Sequence, residues 1–221
     1  MNTVEPKINI DIVYEDESII AINKPEGLAS ISENDTSIAT LHSLLENKLS
    51  QKVFVVHRLD KEVSGVILFA KNAKTHKLLN QQFAERIVKK SYTALVHGNV
   101  KEDDGIINKP IREFGSGRMG IDDRKGKPSS TAYKVIRRFK RYSLLELKPT
   151  TGRRHQLRVH LYAIGHPIVG DVRYGDKTEQ EKFPRLMLHA KGISCKLTGG
   201  KPVTLEVDLP ESFNLFLKSL E

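Results

Sequence analysis

Val203-Thr204-Leu205-Glu206-Val207-Asp208-Leu209 alternates apolar and polar side chains without a break, shortly after the Gly199-Gly200 pair. A period of two is the mark of a strand buried on one face, and two glycines supply the turn that precedes it. Working outward, residues 186–197 read as the strand before that turn, and residues 132–139 and 142–148 as a further close pair. Residues 91–97 are another strand. Near the start, Ile8, Ile10 and Ile12 alternate with polar residues, the Glu15-Asp16-Glu17 turn follows, and Ile19 to Ile22 form a continuous apolar run. Between the strands lie few helices. Thr36 or Ser37 can cap one carrying Leu41, Leu44, Leu45 and Leu49, and Asn72 can cap another carrying Leu78, Leu79 and Phe83. Many strands at hairpin spacing with few helices predict an α+β fold. The expected architecture is one domain over residues 8–221, a mixed and mostly antiparallel sheet flanked by helices and loops around a basic cleft, after a short extension over residues 1–7.

The chain has 221 residues and 38% hydrophobic content, enough for a sizeable single core. Its start has no basic segment followed by an apolar one, and no stretch approaches the ~18–20 apolar residues of a membrane span. The one cysteine, Cys195, lies in a strand-like run and has no internal disulfide partner. A soluble protein of the reducing cytoplasm is expected.

Charge is concentrated. From Lys109 to Arg158 there are 15 Lys and Arg against 4 Asp and Glu, so this segment carries +11 where the whole chain carries +9, and the remainder sums to −2. A charge run is usually a solvated face, but so local a surplus points to a polyanion, most often nucleic acid. No apolar stripe accompanies it as a membrane-surface helix would require.

Two tempting motifs fail on context. Gly115-Ser116-Gly117-Arg118-Met119-Gly120 fits the dinucleotide pattern, yet Ile121-Asp122-Asp123-Arg124-Lys125-Gly126-Lys127-Pro128 follows and cannot open a crossover helix; residues 112–127 read as a flexible basic loop. His155 and His160 are five apart, on different faces of a helix, with no cysteines to assist them, so no metal site is expected.

Two constellations carry chemistry. His57-Arg58-Leu59-Asp60 stands between the apolar residues 53–56 and 66–69, with polar Lys61, Glu62 and Ser64 and then Gly65. This places Asp60 on a loop at a strand end, where a carboxylate beside a guanidinium can act as nucleophile or base. A lone Arg-x-Asp is more often a surface ion pair. The second is Thr151-Gly152-Arg153-Arg154-His155-Gln156-Leu157-Arg158-Val159-His160, a turn leading into a helix buried along Leu157, Leu161 and Ile164 and ended by Gly165. Arg154, Arg158 and Tyr162, four apart, would share one helix face. Arg158 borders the buried stripe, and a loop carboxylate is its natural partner.

Together these residues resemble the pseudouridine synthases of the ribosomal-large-subunit type, over nearly the whole chain. Asn23-Lys24-Pro25-Glu26-Gly27-Leu28 is similar to the family's N-terminal motif, residues 57–65 to the signature around its catalytic aspartate, and Lys89-Lys90-Ser91-Tyr92-Thr93-Ala94-Leu95-Val96 to the motif holding its active-site tyrosine. Residues 151–160, Gly165-His166-Pro167-Ile168-Val169-Gly170-Asp171 and Arg185-Leu186-Met187-Leu188-His189-Ala190 complete the order. Val63 replaces the family's usual threonine, and Arg154 a small hydroxyl residue. The separate N-terminal RNA-binding domain of many relatives is not expected here.

The resemblance implies an RNA pseudouridine synthase that isomerises specific uridines in structured rRNA or tRNA, without cofactor and as a monomer. Asp60 would be the nucleophile or base, Tyr92 would stack on uracil and assist proton removal from C5, and Arg158 would pair with Asp60. Leu186 and Leu188 would wall in the loose base. Arg58 would fill the gap left by a flipped nucleotide, with His57, Arg153, Arg154 and His155 close to the substrate. The basic loop 112–127 and the Arg137-Arg138-Phe139-Lys140-Arg141 turn would hold phosphates. A non-catalytic RNA-binding protein on the same fold is the alternative, against which Asp60, Tyr92 and Arg158 speak. A Mg²⁺ nuclease using Asp103, Asp104, Asp122 or Asp123 is a further rival.

Overall fold

The computed structural model describes residues 10–32 and 39–221. Along the chain run β1 (Asp11–Glu15), β2 (Ile19–Lys24), α1 (Leu41–Leu49), β3 (Phe54–Val55), β4 (Ser64–Ala70), α2 (Ala73–Ala84), β5 (Lys89–His97) and β6 (Asp104–Asn108). Next come β7 (Ile111–Glu113), β8 (Met119–Ile121), β9 (Ser130–Arg138), β10 (Tyr142–Pro149) and α3 (Gln156–Ala163). The chain closes with α4 (Lys177–Gln180), β11 (Leu188–Lys196), β12 (Pro202–Glu206) and α5 (Glu211–Lys218). The main sheet has the order β1-β2-β4-β11-β5-β10-β9-β6, with β12 added to β11 and β3 to β4. All of its named pairings are antiparallel but one. β4 and β11 run parallel where His189 faces Ser64 and Ala190 faces Gly65.

Both faces of the sheet centre are covered, which explains the continuous apolar runs of β2 and β4. Ile20, Ile22, Ile67 and Phe69 point into one cluster with Leu41 and Leu45 of α1, Leu157 and Leu161 of α3 and Phe213 of α5. Ile19, Ala21, Val66 and Leu68 point the other way, toward Leu79 of α2 and toward Val203, Leu205 and Val207. The Val203–Leu209 alternation thus serves as expected, with β12 pairing antiparallel to β11 across the Gly199-Gly200 turn.

Helix starts follow capping chemistry. Asn72 Oδ1 accepts from Thr75 N at 2.8 Å and caps α2. α1 is capped by Thr40, whose Oγ1 accepts from Ser43 N at 3.2 Å; Thr36 and Ser37 lie outside the described residues, as does Ile8.

Three details correct the sequence expectations. The basic stretch 112–127 is not a shapeless loop: β7 and β8 pair as a two-stranded sheet, with Gly117 in its turn at φ +70°, and Met119 packs in one cluster with Val159 of α3 and Tyr174. Arg154 does not share a helix face with Arg158, because His155 at φ 53° turns the chain and α3 begins only at Gln156. The strands of residues 104–121 and the four-residue α4 are too short to show a period, whereas α5 was not expected although Phe213, Phe216 and Leu217 recur at helical spacing and pack on the core. No helix among the described residues is long and apolar enough to cross a membrane.

Candidate active site

Asp60 lies on the β3–β4 loop, and that loop is braced from beneath. Ser30 Oγ donates to Leu59 O at 2.7 Å and accepts from Leu59 N at 3.1 Å. Gly27 N donates to Lys61 O at 2.9 Å. The fully buried Lys24 donates from Nζ to Lys61 O at 3.1 Å, to Leu28 O at 2.8 Å and to Pro25 O at 2.9 Å. Burial pushes its ammonium down to about 8, against the support of Glu62 and Asp60. Just past the loop, Gly65 adopts φ +118°, and a Cβ there would lie 2.2 Å from Ala190 O. Only glycine lets β4 and β11 meet beside the aspartate.

Arg158 holds the carboxylate from the other side. Its Nη1 donates to Asp60 Oδ2 at 3.2 Å and reaches Glu62 at 3.5 Å. Its planar fork, however, is engaged by Asp171, with Nε to Oδ2 and Nη2 to Oδ1 both at 2.8 Å. Both side chains of that pair are essentially buried, at 4% and 0% exposure. Burial opposes the Arg158 charge, but the bonds and field of Asp171, with the fields of Asp60 and Glu62, outweigh it and hold its pKa above the ordinary value. The expected pairing with Asp60 is therefore present, through one nitrogen of a guanidinium aimed by a different carboxylate. Asp171 stands in the quoted Gly165–Asp171 motif, and nothing in its spacing singled it out.

Asp60 opens onto a cavity of about 530 Å³ whose lining includes Tyr92, Lys90, Leu188, Leu157, Val63 and Arg158. The strand order β4-β11-β5 accounts for this, since it places Leu188 between the Asp60 loop and the Tyr92 strand. Burial and then the charge of Asp60 push the Tyr92 phenol above its ordinary pKa. Leu186 and Leu188 both belong to the hydrophobic core, and of the two only Leu188 also lines the cavity. His155 lies between Asp60 and Tyr174: Nε2 is 3.8 Å from Asp60 Oδ2 and Nδ1 is 2.8 Å from Tyr174 Oη. Burial lowers its pKa, against the pull of Asp60. Its left-handed backbone is one of three among non-glycine described residues, and Arg86, also at the cavity wall, is another.

His57 lines the cavity, but its Nε2 accepts from Leu68 N at 3.0 Å and its ring stacks on Phe83 at 5.2 Å. Burial lowers its pKa to about 3. Its Nε2 is thus committed to anchoring the loop on β4. Arg58 is exposed at the mouth, Arg153 lines the wall, and Arg154 pairs with Glu113 at 3.0 Å. Arg137 and Arg138 are not at this site. They lie at the far end of β9, six and seven residues beyond Thr131, which pairs with Pro149 at the cavity wall, or about 20–23 Å. Arg137 pairs with Glu221 at 2.6 Å; Arg138 pairs with Asp103 at 2.7 Å and donates to the carbonyls of Val100 and Lys101. Among the described residues no three His, Cys, Asp or Glu side chains cluster as metal ligands. Asp103 and Asp122, which a nuclease would need together, are engaged separately by Arg138 and Arg112.

The comparisons agree with this geometry. Residues 18–163 match the family model of RNA pseudouridylate synthases. An RNA pseudouridine synthase of Zymomonas mobilis is 37% identical over 213 residues, covering 91% of this chain and 94% of that protein. The dual-specificity RNA pseudouridine synthase RluA of Pasteurella multocida is 37% identical over 203 residues, 89% of this chain and 90% of its own length. The structure of human RNA pseudouridylate synthase domain containing 1 superposes with a TM-score of 0.79 at 32% identity, covering 99% of this chain and 89% of that one. With an aspartate held by a buried arginine at the floor of a cavity, and a match of this extent, the chain belongs to the RNA pseudouridine synthase family of isomerases.

Proposed function

We propose that this chain converts uridine to pseudouridine in a folded stem-loop of ribosomal or transfer RNA, with Asp60 initiating the reaction. The observation that carries the reading is the Asp60 carboxylate at the cavity floor, held by Arg158, itself locked to Asp171. The relatives include a dual-specificity enzyme and ribosomal large subunit pseudouridine synthases, which favours these RNA classes.

A base stacked in a stem cannot enter this cavity, so the target nucleotide is flipped out at a cost of a few kcal/mol, least for loop uridines. The exposed Arg58 at the mouth occupies the vacated place. Asp60 then acts on the sugar, by attack on C1′ or by promoting a glycal. The N1–C1′ bond breaks, the uracil turns against the wall formed by Leu188, and C5 joins C1′. C5 loses its proton and N1 takes one up, with no redox change and no net water consumed. Tyr92 stacks on the base. Because burial and Asp60 disfavour its phenolate, it serves as a neutral phenol and not as a standing base. The cavity, at about 530 Å³, lies within the ~300–1,000 Å³ of small-ligand sites.

Mapping pseudouridine in ribosomal and transfer RNA from cells with and without the gene tests the proposal. One or a few positions should lose pseudouridine, regain it on return of the gene, and fail to regain it with Asp60→Asn. An unchanged map would contradict it.

A further inference from the structure

Lys90 precedes Tyr92 by two residues on β5, so the alternation of the strand brings both onto the cavity wall. Among the described residues its ammonium makes one hydrogen bond, to Thr151 O at 3.2 Å. An ammonium has three donors, and two remain for a ligand. Burial pushes it down to about 8 with no carboxylate field to offset the loss, unlike Lys24, which Glu62 and Asp60 support. Across β11, Thr93 pairs with the same His189 that faces Ser64 at the end of the Asp60 loop, whereas Lys90 pairs with Ile193, so Lys90 lies about 6.6 Å further than Tyr92 along β5 from that loop. Lys90 thus occupies the end of the cavity away from the carboxylate. An enclosed cation with spare donors and no counter-charge is suited to a group that becomes negative there.

We propose that Lys90 is a catalytic residue that receives the uracil as its glycosidic bond breaks, its ammonium stabilising the negative charge gathering on O2 and O4 of the departing base. The inference rests on the reading of Asp60 as the group acting at the sugar. With Asp60 at C1′, the base extends away from the carboxylate, toward Tyr92 and Lys90. The N1–C1′ electron pair leaves with the uracil, which is anionic until C5 bonds to C1′, C5 gives up its proton and N1 takes one. Lys90 keeps its own proton throughout and acts by charge and hydrogen bond. It also tethers the free base while it turns.

Single-turnover isomerisation at saturating RNA, with RNA affinity and its salt dependence measured in parallel, tests the assignment. Lys90→Met should slow the bound-state reaction by about a hundredfold, the order seen when one oxyanion-type donor is removed. RNA affinity should stay within about threefold and the salt slope should not change. Lys90→Arg should recover at least about tenfold of the lost rate. If Lys90→Met melts early, Lys90→Gln, which can keep the bond to Thr151 without the charge, takes its place with the same expected loss. A neutral variant that turns over bound RNA within about threefold of the wild-type rate overturns the proposal. So does a loss confined to affinity and salt slope, which would make Lys90 a phosphate contact. Asp60→Asn in the same series separates the two readings: activity there would break the Asp60 reading, whereas a dead Asp60→Asn beside a fully active Lys90→Met breaks only this one.

Discussion

Two groups of basic side chains in this molecule differ in what the fold does with their charges. At the far end of β9, Arg137 and Arg138 are tied to Glu221, Asp103 and the carbonyls of residues 100 and 101. At the cavity, Arg86, Lys90 and Arg153 have no carboxylate within ion-pair distance among the described residues. The first group closes the end of a sheet. The second leaves its positive charge for an incoming anion. The difference shows that a local surplus of Lys and Arg indicates a polyanion only after the internal partners are subtracted.

The cavity side depends most on the Arg158–Asp171 pair. Asp171→Ala leaves a buried guanidinium without its main partner, which should cost about 3–5 kcal/mol of stability and abolish turnover. Chemical denaturation and single-turnover assays check this. A near-neutral effect would mean that Asp60 and Glu62 alone hold Arg158. Next, Arg158→Lys should fail to rescue Arg158→Ala, both remaining at least about a hundredfold below wild type, because an ammonium cannot span both oxygens of Asp171 and still reach Asp60. Near-wild-type turnover by the lysine variant would show that charge alone suffices.

The two basic regions can be set against each other directly. Replacing Arg58 and Arg86 by glutamine should flatten the slope of log affinity against log salt by up to about 2, while the same change at Arg137 and Arg138 should flatten it by less than about 1. Equal slopes would erase the distinction drawn here. The smallest effect concerns the brace. His57 is neutral when folded, because burial lowers its pKa to about 3 from the ordinary value of 6.5. The unfolded chain therefore binds more protons below about pH 6.5, so this contribution is full above that pH and is lost as pH falls toward 3. His189, lowered to about 4, acts in the same direction. His57→Gln should accordingly lose less melting temperature between pH 6.5 and 4 than wild type does. An identical loss would remove His57 from the account.

Much of the fold was legible because it rests on periods that local sequence controls. The alternation of residues 203–209, the runs of β2 and β4 and the Asn72 cap all appear where their side chains require. What was not legible depends on distant partners. Leu186 and Leu188 are alike in chemistry and both reach the core, and only Leu188, at the start of β11 between β4 and β5, also borders the cavity. Asp171 is an ordinary loop acid until α3 brings Arg158 onto it. His155 required a left-handed residue that its neighbours do not announce. Arg137 and Arg138 read as phosphate contacts from the local basic surplus, because their partners Glu221 and Asp103 lie far away along the chain and meet them only in the fold.

Tritium release from RNA labelled at C5 of uridine, measured in single turnover for wild type and Asp60→Asn with RNA binding followed in the same samples, tests the central claim most directly. The account predicts at least about a thousandfold loss of release with binding retained, since solvent cannot replace a missing carboxylate in an enclosed site. Substantial release by the asparagine variant would contradict it.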